Sequence, residues 1–525
     1  MKGDDDFGPD RRIEFETDDE ENEAQRACDS EDDSDSDSVD HSRHASGVYV
    51  DSDELLWPQS YRQSIDMYST INTNSFSFLR GSQSSNSDSL LTTPLVTVEN
   101  PDNEGQIGMP LIDKPISSQT GFFVDELPPP SEQCSYLQTV LNAINILCGI
   151  GLVSTPYALK QGGWWSLSIL FILGMITCYT GVLLKRCLES SRDLKTYPDI
   201  GQAAFGVSGR IILAITLYME LYSSCVEYLI MMSDNLSSFM PNANMSFAGS
   251  SLDSFQLCVI ISTLCILPTV WLRNLSLLSY LSVGGVVTAI LVSVCLFWVG
   301  TIDNVGFHPN DRALEIAKLP ITIGLFGFCY GSHSVFPNIY SSMKDPSRFP
   351  SVLIISFISS TLLYAGVAVC GFLMFGDETK SQFTLNMPPE FTASKVAAWT
   401  MFIAPLTKYA LTITPIAFSI EELLPSAKLS SSYGRSIIIR TILVASTFVV
   451  ALSFPYFGSV MAFIGSFLVM LLSIVYPCAC YLSITRGRLS NLEVATNVVI
   501  MMIGLFCALV GTYSAIASAG EEKGQ

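Results

Sequence analysis

The sequence predicts an all-α polytopic membrane protein. Eleven transmembrane helices are expected, as two inverted repeats of five plus one, behind a disordered acidic tail. Three observations carry this. Of the 525 residues 49% are hydrophobic and only 15% are charged, with a mean hydropathy of +0.38, too apolar for an ordinary soluble protein. The apolar residues gather into eleven runs, each near the ~20 residues that a bilayer demands. Two of those runs, the first and the sixth, are interrupted by glycine and proline.

The N-terminal segment comes first. Residues 1–130 hold 29 acidic and 8 basic side chains, which is the whole net charge of −21; residues 131–525 hold 20 of each. The stretch DSEDDSDSDSVD from Asp29 to Asp40 has almost nothing to bury and reads as a disordered, solvated tail. Ser30 and Ser34 each have an acidic residue three positions on, a pattern that acidophilic kinases accept, so a kinase is a candidate partner. The tail lacks the basic-then-apolar pattern of a signal peptide, so insertion through internal helices is expected, with the tail left in the cytosol. Pro128-Pro129-Pro130 marks the boundary to a transporter-like body at 131–520. The acidity argues against nucleic-acid binding, which needs a basic footprint.

The runs lie near 136–160, 164–184, 209–233, 255–272, 276–300, 318–339, 351–375, 393–417, 436–453, 457–483 and 493–518. The ninth and tenth are separated only by Phe454-Pro455-Tyr456. With the tail inside, the inner loops carry Lys185, Arg186, Arg192 and Lys195, then Arg273, Lys344, Arg348, Lys428, Arg435, Arg486 and Arg488. The outer loops carry only Arg312, Lys318 and Lys380. This is the positive-inside pattern, and a lost or added helix would reverse it for the later loops. Asn244-Met245-Ser246 falls in an outer loop as a glycosylation triplet. The cysteines are scattered through apolar runs without metal or disulfide spacing, and His41, His44, His308 and His333 form no ligand set. No metal or cofactor is expected.

The first run breaks at Gly149-Ile150-Gly151 and again at Pro156. Freed backbone groups in hydrocarbon cost several kcal/mol each, roughly, unless something satisfies them. Either a bound substrate or tight packing on a neighbouring helix answers that need. The sixth run crowds Gly324, Gly327 and Gly331 before Pro337. Interrupted helices at corresponding positions of two halves point to an inverted-repeat transporter with its site between them. The half-helix that begins at the break presents N–H groups suited to a carboxylate, and the one that ends there presents carbonyls suited to an ammonium or cation. An α-amino acid carries both. The lining residues expected are Asn145, Cys148, Gly149, Ile150 and Gly151, with Phe326, Phe328 and Gly331 opposite, beside Tyr330.

Three stretches carry a family resemblance: LNAINILCGIGLVSTPYALKQGGW, FCYGSHSVFPNIYSSMKDPSRFP and APLTKYALTITP. They resemble the amino acid/auxin permease family, in particular its plant and fungal vacuolar amino-acid transporters, with the vesicular inhibitory amino-acid transporters as more distant relatives. The resemblance spans about 131 to 518. It implies the LeuT-type fold and amino-acid transport, commonly proton-coupled, in a vacuolar membrane. Gly331-Ser332-His333 stands where many members have two glycines before the histidine.

Ionisable residues inside a membrane are functional candidates. Lys408 lies roughly 18 Å along its helix from the next charge, Glu421, too deep to snorkel. In the LeuT-type arrangement the first and eighth helices flank a sodium site. A lysine there is expected either to replace the ion and exchange a proton, or to stand anchored on backbone carbonyls. Glu220 and Glu227 lie seven apart on one face of the third run, and either carries a coupling proton, pairs with Lys408 or serves as a hydrogen-bonded structural acid. His333 is a candidate proton sensor or a structural histidine. Tyr218 and Tyr222 are candidate donors to a substrate carboxylate. The function expected is a secondary transporter of amino acids, with an amino-acid sensor signalling through the tail as the alternative. A channel lacks a filter or charged ring, and an enzyme lacks a nucleophile–base pair or phosphate loop.

Overall fold

In a bilayer the backbone must bond to itself, and the chain answers with helices almost throughout. The computed structural model describes residues 134–524 except 192, 242–244, 248–249, 272–283, 304, 309–310 and 425–431. The acidic tail with Ser30 and Ser34, the expected boundary at 130, and Asn244 lie outside the described residues. The expected all-helical class needs one addition, an antiparallel ribbon of β1 (Met245–Phe247) and β2 (Ser250–Leu252).

The first run is split into α1 (Tyr136–Leu147), a 3-10 turn (Ile150–Ser154) and α2 (Thr155–Gly162), with a 52° bend between the halves. The Ser135 hydroxyl caps α1, and Pro156 sits in the first turn of α2, where its missing N–H costs nothing. The second run is α3 (Leu167–Leu188). The third lies in α4 (Tyr197–Ser237), which starts earlier than expected through a Thr196–Asp199 capping box and kinks at Gly206, φ 68°. Then come α5 (Ser254–Trp271) and α6 (Gly285–Thr301). The sixth run is α7 (Leu319–Phe328) and α8 (Phe336–Ser342), separated by non-helical turns. There follow α9 (Phe349–Phe375), α10 (Thr392–Leu423) and α11 (Ser432–Ser453). The tenth run, Phe457–Ile484, opens as α12 (Phe457–Phe463), widens into π-helix over Ile464–Val469 and Leu471–Val475, and closes as α13 (Tyr476–Ile484). The last is α14 (Asn491–Gly524).

Among the described residues eight helices are long and apolar enough to cross a membrane alone. The bent α1/α2 pair passes as a ninth, and the apolar helices Gly285–Thr301 and Ile316–Phe328 are shorter. Phe454–Tyr456 is non-helical, so the ninth and tenth runs are separate.

The most extensive helix pairing is between α4 and α10, and α9 lies along both α1 and α2. The connecting segments gather at two ends. At one, Arg312 pairs with Asp377 at 3.0 Å and Lys160 donates to Thr379 O at 3.0 Å. At the other, Cys134 and Met343 form a β-bridge, with N–H···O distances of 2.8 and 3.1 Å, and Arg186 meets Glu493 at 3.9 Å.

Candidate functional site

The site begins where α1 stops. Cys148 N–H still reaches Ile144 O at 2.7 Å, but Gly149 N–H turns back to Leu147 O at 2.7 Å and ends the helix. The 3-10 turn starts at Ile150, so carbonyls that close one helix and amides that open the next lie within a few residues. Ser154 and Thr155 fold their hydroxyls back onto Gly151 O and Leu152 O, at 3.1 and 2.9 Å.

The sixth run breaks beside it. From Cys329 to Val335 the backbone runs through short turns, Gly331 N–H to Phe328 O at 3.1 Å and Val335 N–H to Ser332 O at 3.1 Å. The two breaks touch. A Cβ on Gly151 would stand 3.0 Å from Cys329 Sγ and 3.1 Å from its Cα, so glycine at 151 is a condition of the approach.

Between the breaks lies a cavity of about 90 Å³. Asn145, Gly149, Ile150 and Gly151 form one wall, and Phe328, Cys329 and Gly331 the opposite one. Glu220 on α4 and Lys408 on α10 complete it. Lys408 is half-buried and also lines a second cavity of about 30 Å³, with Cys148, Met231 and Thr288. Gly285 at the start of α6 makes the room: a Cβ there would collide with Asn145 Oδ1 and come within 3.5 Å of Lys408 Nζ. Glu220 is 8% exposed; it lies in hydrogen-bonding reach of Ser334, and its Oε2 has no partner among the described residues. Neither glutamate forms an ion pair with Lys408, so the pairing considered from the sequence is not made here.

The other expected residues lie off the cavity. Glu227 is fully buried on the same face of α4, and neither of its carboxyl oxygens has a hydrogen-bond partner among the described residues. Cys148 lines only the smaller cavity and donates to Ser360 Oγ at 3.3 Å. Phe326 is buried in the core. Tyr222 donates to Ser446 on α11 at 3.0 Å, and Tyr218 bonds Ser419. His333 Nε2 sits 3.0 Å from Thr180 Oγ1 and 3.1 Å from Thr177 O, tying the sixth-run break to α3. Its ring packs on Phe336 at 4.8 Å.

The cavity also takes Ser224, Tyr228, Ser334 and Thr412, which the sequence reading passed over. Helical spacing held the signal: Ser224 and Tyr228 follow Glu220 by four and eight residues, and Thr412 follows Lys408 by four.

Residues 132–517 match the family model described as transmembrane amino acid transporter protein. The chain is similar to amino acid transporter AVT1D of Arabidopsis thaliana, 56% identical over 479 residues, which cover 88% of this chain and 86% of that one. The vesicular GABA transporter of Caenorhabditis elegans is 28% identical over 73% of this chain and 79% of its own length. A solved nucleobase-cation-symport-1 family transporter superposes with a TM-score of 0.45 at 10% identity, covering 74% of this chain and 92% of that one.

Proposed function

The chain belongs to the transmembrane amino acid transporter family, and from that premise we propose that it carries amino acids across a membrane by proton-driven alternating access around the cavity between its two broken runs. The observation that carries the reading is the meeting of the breaks. Two half-helix ends converge on one buried cavity, and the amide and carbonyl groups there match the two charged groups of an amino acid. The substrate carboxylate faces the amides opening at Ile150 and Gly151. Its ammonium faces the carbonyl ends of α1 and α7. Asn145 and Phe328 shape the space for the side chain.

The proton moves through Lys408, Glu220 and Glu227. A titratable ammonium and an unpartnered carboxyl oxygen lining the same cavity let the site change its charge without a metal ion. The body is read as eleven spans of LeuT type, two inverted sets of five and one more, with the tail in the cytosol as a regulatory segment open to a kinase at Ser30 and Ser34. Its motifs favour a vacuolar membrane.

The test is flux of labelled neutral amino acids into proteoliposomes holding the purified full chain, with and without an imposed pH gradient. Uptake that rises with the gradient is expected. Saturable binding without flux would replace transport with amino-acid sensing through the tail.

A further inference from the structure

Tyr364 on α9 reaches both breaks at once. Its hydroxyl donates to Leu147 O, the last carbonyl of α1, and lies 3.1 Å from Cys329 O, just past the end of α7. Both carbonyls sit at helix C-termini, where partial negative charge collects. Leu147 O also accepts from Gly149 N–H at 2.7 Å, so the phenol is its second donor. A phenol has one proton, so it satisfies one carbonyl fully at a time and leaves acceptor capacity beside it.

The side chain is held in place. Tyr364 is fully buried, and its ring meets Tyr330 edge-on at 6.0 Å. Tyr330 is itself fixed by Thr361 Oγ1 at 2.8 Å and Leu170 O at 3.0 Å. The same face of α9 presents Ser356 and Ser360, eight and four residues earlier, and each also meets the first run. Ser356 Oγ donates to Val140 O at 3.4 Å, and Ser360 Oγ accepts from Cys148 Sγ at 3.3 Å. One helix face therefore tracks α1 to its end, and Tyr364 finishes the row on the break.

We infer that Tyr364 is a positioning residue for substrate. Its hydroxyl holds the carbonyl ends of the two half-helices together as one acceptor wall for the substrate ammonium. It sets affinity for the amino group, and it does so without lining the cavity. The inference rests on the transport reading above, because it assigns the ammonium to that wall.

The test compares Tyr364→Phe with Tyr197→Phe in the proteoliposome assay, using whichever neutral amino acid of the panel the wild type carries. Tyr197 is an equally buried phenol that donates to a backbone carbonyl, Leu472 O, at 2.5 Å, away from the breaks. Loss of the Tyr364 hydroxyl should raise KM about tenfold with kcat changed less than about threefold, while Tyr197→Phe leaves KM unchanged. Preference for the amino acid over its N-trimethyl betaine, which keeps the charge but has no N–H, should narrow only in Tyr364→Phe. Equal KM and equal preference in the two variants would overturn the inference. If the wild type shows no flux, transport itself has failed, and the same variants are compared by amino-acid-induced thermal stabilisation. Unchanged binding by Tyr364→Phe then refutes the positioning role. If Tyr364→Phe does not fold, 3,5-difluorotyrosine at 364 keeps the ring and strengthens the donor, and an unchanged KM refutes it equally.

Discussion

Lys408 was legible because an ammonium in an apolar run is rare and expensive, and the structure gives it a reason to be there. It faces two cavities and has no carboxylate partner among the glutamates of α4. A charge so placed responds to whatever enters the site. Lys408→Ala should abolish uptake driven by a pH gradient while amino-acid exchange persists at equal pH; unchanged gradient-driven uptake would remove Lys408 from the coupling. Glu220 and Glu227 were found by their seven-residue spacing, yet only Glu220 reaches the cavity. Spacing places residues on one face but does not say how far along that face a cavity extends. His333 shows the opposite limit. Its place after the break admitted a proton sensor or a structural histidine, and its ring nitrogen is engaged by Thr180 and the Thr177 carbonyl behind the site. Tyr364 was hidden because a tyrosine among apolar residues is ordinary; only the serines at its own helical spacing, Ser356 and Ser360, marked the face.

The glycines of the sixth run were read together as a sign of a break, and the helices divide them into two jobs. Gly331 lies at the break and lines the cavity. Gly324 and Gly327 are inside α7 and meet the tenth run. A Cβ on Gly327 would stand 2.6 Å from Met470 Cε and 3.2 Å from Gly465 O, and one on Gly465 would overlap Gly324 O. This is small-residue packing, the reading that had been weighed for the first run, at work in the sixth. The facing element is π-helical from Ile464, a feature no apolar pattern announces. Because backbone meets backbone there, Gly465→Leu should cost about 1–3 kcal/mol or more of packing and lower the midpoint of thermal unfolding in detergent. Gly366, with nothing within 4 Å of its would-be Cβ, should accept alanine without loss. A midpoint unmoved by Gly465→Leu would mean that α7 and the tenth run are free to separate.

At the scale of the molecule, hydropathy carried the positions of the long apolar helices, and three short motifs carried the family. The count was harder to read from geometry, because the two runs that meet at the site depart from a simple span. The first is bent and the sixth is broken. Function and irregular helices coincide: a site inside a bilayer needs backbone groups that a continuous helix would consume. The tail obeys other physics. Residues 1–130 hold the whole net charge, and the first described residue, Cys134, is bridged through its backbone to Met343 just after α8. That bridge ties the entry of the first broken run to the exit of the sixth, and it needs no residue before 134. Removal of residues 1–130 should therefore leave the half-helices anchored and intrinsic flux in proteoliposomes unchanged within about twofold, with any change confined to regulation in cells. Loss of flux from correctly folded, truncated protein would make the tail part of the transport machinery, and deletion in steps toward Cys134 would then locate the segment responsible.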